Sequence, residues 1–207
     1  MRKPLSTILI AFLLFACGGD DDDDDDVVLP DAAAGAIDSA PGTFDAADDT
    51  PDAAPGAFAL TSTAYSEGGA IPIKHSCDGD NVSPALTWTG GPGAAGYGIV
   101  FTDNTNGLIH SVIWDIPGSV MSLPEDVEKV AQPSTPAGSK QTRAWNGSTI
   151  GYEGPCPGTP HTYEFIIYSY DTYPLPGVIL TSSRSQVETA LQGAMTDSAS
   201  LSATYTP

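Results

Sequence analysis

Leu108-Ile109-His110-Ser111-Val112-Ile113-Trp114-Asp115-Ile116 is rich in β-branched and aromatic residues and alternates in the manner of a strand. Period two predicts His110, Val112, Trp114 and Ile116 on one face. Two more runs read the same way, YGIVFTD at 97–103 and HTYEFIIYSY at 161–170, the second placing His161, Tyr163, Phe165 and Ile167 together. Clusters of Gly, Pro and Asn bound these runs. Each histidine stands near the start of its strand. Towards the end, Ser185-x-x-Glu188 reads as a capping box, with Val187, Ala190, Leu191, Ala194 and Met195 at helical spacing. Residues 57–207 therefore read as a mainly β domain with one or two peripheral helices, long enough for a proper core.

Outward from that domain the composition changes. The 207 residues carry 26 acids against 7 Lys and Arg, a net charge of −19. Thirteen of the acids fall between Asp20 and Asp52, leaving residues 57–207 with 13 acids and 5 bases. A chain this acidic gains no counterion-release energy from phosphate backbones, which excludes nucleic acid held on a general electrostatic face. Residues 17–56 are Asp, Ala, Pro and Gly with almost no aromatics, and Asp20 to Asp26 form an unbroken acidic run. Such a segment cannot bury enough apolar surface to offset its ordering entropy, so it reads as a disordered tether. Its random-coil span is about 35 Å before self-repulsion extends it. A calcium loop would space its acids around a glycine turn, which this run does not do.

Residues 1–16, MRKPLSTILIAFLLFA, join two early cations to an apolar stretch too short to span hydrocarbon, the pattern of a secretory signal. Leu14-Phe15-Ala16-Cys17-Gly18 resembles the lipobox of bacterial lipoproteins. That resemblance implies cleavage before Cys17 and its lipidation, hence a membrane anchor in the bacterial cell envelope. Gly18, where an Asp would retain such proteins at the inner membrane, implies the outer membrane, on its periplasmic or its outer face. Cys77 and Cys156 then remain as an even pair in an oxidising compartment. They are read as a disulfide, the alternative being two buried thiols that never meet.

No GxSxG elbow, phosphate loop, HExxH or paired CxxC occurs, and the histidine spacing matches no zinc pattern. The chain does contain, in order, CDGDNVSPALTW at 77–88, Asp103, His110 opening HSVIWDIP, GYEGPCP at 151–157, and His161-Thr162-Tyr163. In this order the motifs resemble the phosphatidylethanolamine-binding protein family, in its bacterial branch of Raf kinase inhibitor-like proteins. The resemblance implies a β-sandwich with a small anion cavity at one end; no cofactor or metal is expected. Its site residues would be Asp103, His110, Gly154, Pro155, Cys156, His161 and Tyr163. Imidazoles, a phenol and backbone N–H groups of the 154–157 turn would converge on a phosphoryl group, with Asp103 orienting one imidazole.

Departures from the family pattern are local. Asp-Pro-Asp-x-Pro stands as Asp103-Asn104-Thr105-Asn106-Gly107, and the usual tryptophan after the strand histidine is Ser111. The segment after Met195 is also about four residues short by the family's usual spacing. The expected function is a tethered, non-enzymatic domain that binds a small anion or a phosphoryl group such as a phospholipid head. Two other classes stay open: an interaction or inhibitor module acting on an envelope enzyme, and a phosphoester or ester hydrolase using His110, His161 and Asp103.

Overall fold

The three strands expected from period two lie side by side. In a computed structural model that describes residues 56–207 apart from Pro92, β4 (Gly96–Asp103) pairs antiparallel with both β5 (Leu108–Pro117) and β8 (His161–Tyr170). The segment read as a signal, 1–16, Cys17 and the segment read as a tether, save Gly56, lie outside the described residues. β9 (Met195–Tyr205), β2 (Gly69–Ala70) and β7 (Lys140–Gln141) complete a six-stranded sheet in the order β2-β9-β8-β4-β5-β7. A second sheet has β3 (Leu86–Thr89) between β1 (Ala59–Ser62) and β6 (Ser122–Leu123).

Two cores follow from the alternation along β4. Tyr97, Ile99 and Phe101 meet Leu60, Leu86, Trp88 and Leu123 of the smaller sheet, which makes the sandwich. Val100, facing the other way, joins Tyr168, Tyr170, Val187 and Leu191 beneath the helix. Gly98 lets that helix approach, because a Cβ there would collide with the Leu191 side chain. The helix, α1 (Arg184–Ala194), starts two residues earlier than the sequence suggests. Its capping box is Ser183 with Gln186, not Ser185 with Glu188. Burying Val187 and Leu191 stabilises its docking by roughly 1.5–3 kcal/mol each.

β5 departs from simple alternation twice. Between the pairs Phe101/Ser111 and Thr102/Ile109 it has one residue more than β4, and again between Tyr97/Ile116 and Ile99/Ile113. Each extra residue is a bulge, and each re-aims the side chains beyond it. Val112 and Trp114 face the helix, whereas Ile116 lies in the sandwich core and His110 packs against Phe101 and Tyr163 of that same core. The shared face expected for His110, Val112, Trp114 and Ile116 is therefore split by the bulges. β8 has no such fault before Ser169, and Tyr163, Phe165 and Ile167 share the sandwich face as expected.

Cys77 and Cys156 are disulfide-bonded, which decides between the two thiol readings. The bridge ties CDGDN at 77–81 to GPCP at 154–157, and hydrogen bonds reinforce it. Cys77 N–H donates to the Pro155 carbonyl at 2.9 Å, Gly154 N–H to Asn81 Oδ1 at 2.8 Å, and the Tyr152 hydroxyl to the His75 carbonyl at 2.6 Å. A Cβ at position 154 would overlap the His75 carbonyl, so only glycine permits this approach.

Candidate functional site

Asp103 ends β4 on the sandwich face and His161 begins β8, so antiparallel pairing brings them together across 58 residues of sequence. The His161 Nδ1–H donates to Asp103 Oδ2 at 2.7 Å, and the Thr105 N–H holds the other carboxylate oxygen at 2.9 Å. The Asp103 side chain is 3% exposed and that of His161 is 18% exposed, so the pair runs from the interior to the surface.

His110 reaches the same end of the sheet through its bulge. Its Nδ1 lies 2.9 Å from the Glu153 carbonyl, which can only accept, so the hydrogen sits on Nδ1 and Nε2 carries the lone pair. Burial is the main cause that holds its pKa below the ordinary value. The Glu153 hydrogen bond and the Asp103 charge oppose that fall, and the Arg184 charge adds to it. At neutral pH the ring is thus uncharged and offers Nε2 as an acceptor.

Tyr163 stands between the imidazoles, 5.3 Å from the His110 ring and 6.3 Å from the His161 ring by centroids. Burial first, then the Asp103 charge, pushes its hydroxyl pKa well up, so the phenol keeps its proton. Phe101 stacks against Tyr152, Tyr163 and Phe165 and forms the floor. The arrangement sets two imidazoles, each held through Nδ1, around one protonated aromatic hydroxyl.

The 154–157 turn plays a different part from the one expected of it. Pro155 and Pro157 have no N–H and Gly154 N–H is committed to Asn81, so within the turn the Cys156 N–H is the amide left to donate. The turn is thus a braced wall with one amide, that of Cys156, in place of several. Among the described residues no cluster of three or more His, Cys, Asp or Glu is arranged to hold a metal ion.

Two neighbours were not legible in the sequence. Trp145 lies 5.7 Å from the His110 ring, brought there by its N–H bond to the His110 carbonyl. Tyr205, paired with His161 across β8 and β9, donates to Asp78 Oδ2 at 2.6 Å and accepts from Ser76 Oγ at 2.8 Å. The Leu201, Ala203, Tyr205 alternation was the available signal for the second. His75, the third histidine, is buried and bonded through Nδ1 to the Val82 carbonyl at 2.8 Å, a supporting role.

Below the site lies a core cavity of about 30 Å³ lined by Ser111, Phe101, Ile113 and Tyr152. Ser111, which stands where the family pattern has tryptophan, is one of its lining residues. No helix among the described residues is long and apolar enough to cross a membrane.

Comparison with known proteins gives a consistent picture. A family model described as phosphatidylethanolamine-binding protein matches residues 61–206. A "UPF0098 protein" of Methanothermobacter thermautotrophicus is 38% identical over 119 residues, covering 55% of this chain and 76% of its own. A Mycobacterium tuberculosis protein named "Putative lipoprotein LppC" is 39% identical over 124 residues, covering 56% of this chain and 57% of its own. The crystal structure of Escherichia coli YbcL, described as a new member of the mammalian PEBP family, superposes with a TM-score of 0.66 at 29% identity. It covers 72% of this chain and 98% of YbcL.

Proposed function

The chain belongs to the phosphatidylethanolamine-binding protein family, and from that premise we propose that its domain binds a small phosphoryl-bearing anion, without catalysis, between His110 and His161. One observation carries the reading: both imidazoles are held through Nδ1, by Glu153 and by Asp103, on either side of Tyr163. Each ring then has only Nε2 left to engage a ligand. Phosphate monoesters titrate near neutrality, so a proton on the ligand or on His110 converts that lone pair into a hydrogen bond. The Tyr163 hydroxyl supplies a further donor. Among the described residues no serine, threonine or cysteine is hydrogen-bonded to His110 or His161 in the arrangement an activated nucleophile needs, which favours binding over hydrolysis.

The reading extends to location. A lipid on Cys17 would hold the domain at the cell envelope, at the outer membrane by the residue that follows the cysteine. The lipobox-like LFACG and the name of the mycobacterial relative support it.

Thermal unfolding in inorganic phosphate tests the site. Ligand bound only by the folded state raises Tm by mass action, and the double variant His110→Ala/His161→Ala loses that rise. A parent protein whose Tm does not move at about 50 mM phosphate, some tens of times a millimolar Kd, sinks the proposal. For location, Cys17→Ala releases the protein from the membrane fraction; retention there overturns the anchor.

A further inference from the structure

Three of the five cations in residues 57–207 are answered by acids. Lys74 pairs with Glu125 and Lys140 with Asp115, each at 2.6 Å, and Lys129 lies in the field of Glu153 and Asp126. The two arginines, Arg143 and Arg184, have no carboxylate partner among the described residues. Both line one groove of about 650 Å³, within the usual size range for small-molecule sites. Among the described residues no acid lines it, although residues 57–207 hold 13.

The groove is a different place from the imidazole site. Ile109 of β5 packs towards the core under the helix, whereas His110 is turned by its bulge to the sandwich face. Leu108, Ile109, Ile150 and Leu180 give the groove an apolar wall. Leu180 is 40% exposed and its neighbour Ile179 is 69% exposed, so that wall continues to the surface. At the polar side Arg184 Nη1 donates to the Arg143 and Ala144 carbonyls, at 3.1 and 2.6 Å, which fixes its guanidinium in place. Arg143 is held only by a 3.3 Å bond from Nη1 to the Gly147 carbonyl. Most of its fork is available to an anion, and guanidinium recognises carboxylate and phosphate by paired hydrogen bonds.

We propose that this groove is a second binding site, for an amphiphilic anion whose carboxylate or phosphate head meets Arg143 and Arg184 and whose alkyl chain lies along Leu180, Ile150 and Leu108. A bare inorganic anion would leave the apolar wall without contacts. A polyanion would meet the net negative charge of the surrounding domain.

Calorimetric titration of the unlipidated full chain, Cys17→Ala, with sodium decanoate tests the site, and decyl phosphate as a second probe identifies the preferred head. Saturable binding below about 1 mM is expected for at least one probe. Arg143→Gln weakens it about tenfold, the loss of one charge-assisted pair, and Leu180→Asp weakens it comparably by removing apolar contact. His110→Ala/His161→Ala leaves it unchanged, which separates this site from the phosphate site. Absence of saturable binding by both probes overturns the proposal. So does binding that survives both groove substitutions, or that disappears with the histidines alone. Thermal unfolding of each variant checks folding, and Leu180→Asp serves as the test if Arg143→Gln proves unstable.

Discussion

Asp103 and Asp115 sit at opposite ends of the paired central strands and are buried almost equally, at 2% and 1% exposure. Asp115 is enclosed by fixed partners. Lys140 Nζ lies at 2.6 Å, Leu175 N–H donates at 2.7 Å, and the Tyr170 hydroxyl approaches at 3.3 Å while accepting from the Asp115 N–H. Asp103 has one turn amide and one imidazole, and that imidazole is partly open to solvent. Equal burial therefore accompanies different surroundings. Asp115, closed in by lysine, tyrosine and a backbone amide, braces the fold; Asp103, joined to an imidazole that reaches the surface, belongs to the proposed ligand site.

The sharpest way to break the contrast is to remove the enclosed acid. Asp115→Ala strands Lys140 and the Leu175 N–H and is expected to cost about 3–5 kcal/mol in urea unfolding, with the φ of 55° at this position adding strain for alanine. Asp115→Asn, which tolerates that φ, recovers part of the loss. Next in size is the brace at the other end. Reducing the Cys77–Cys156 bridge, 79 residues apart, lowers stability by up to about 4 kcal/mol on chain entropy, measured by unfolding with and without reductant.

Asp103→Asn should separate site from scaffold. It costs about 1–2 kcal/mol of stability yet removes phosphate-dependent stabilisation, whereas Asp115→Asn weakens the fold and keeps that stabilisation.

Acid titration reads His110. Its pKa is depressed in the folded protein, so the unfolded chain binds more protons below the ordinary value of about 6.5. The stability tied to its neutral form is complete above that pH and falls as pH drops towards the folded pKa, by at most about 1.4 kcal/mol per unit. His110→Gln flattens this segment of the Tm-against-pH curve relative to the parent. Phosphate, which favours a proton at the site, binds more tightly across the same acid interval. The smallest effect is at Ser111. Ser111→Val fills part of the 30 Å³ void and raises stability by up to about 0.7 kcal/mol, and an unchanged or lower Tm would show the space is needed.

Legibility in the sequence followed local regularity. The sandwich-facing positions of β8 could be read directly because period two runs unbroken through Tyr163, Phe165 and Ile167. The faces of β5 could not, since a bulge is decided by how β4 pairs with it, a non-local fact. β9 went unnamed as a full strand because Thr196 to Ser200 is short, polar and largely exposed, and it is held by its partner β8 rather than by propensity. Helix α1 passes into β9 at Met195 with no intervening loop, which matches the short segment noted there in the sequence. The helix cap shifted by two residues because Ser183 and Ser185 are chemically equal candidates, and the better position depends on how the preceding turn enters. The site's residue types were evident from the motif order. Its hydrogen-bond directions were not, because the commitment of Gly154 to Asn81 and of His110 to the Glu153 carbonyl arises only when distant loops close.

The Cys77–Cys156 bridge also decides what a single cut does to the molecule. It encloses β3, β4, β5, β6 and β7 in a covalent ring, including the largely exposed connection 124–139. A protease that nicks this connection opens the ring without releasing a fragment. The product migrates as one species on a denaturing gel and as two only after reduction. Beyond Cys156, a nick has no sulfur bond to span it, so everything downstream of the cut is retained only by strand pairing and packing.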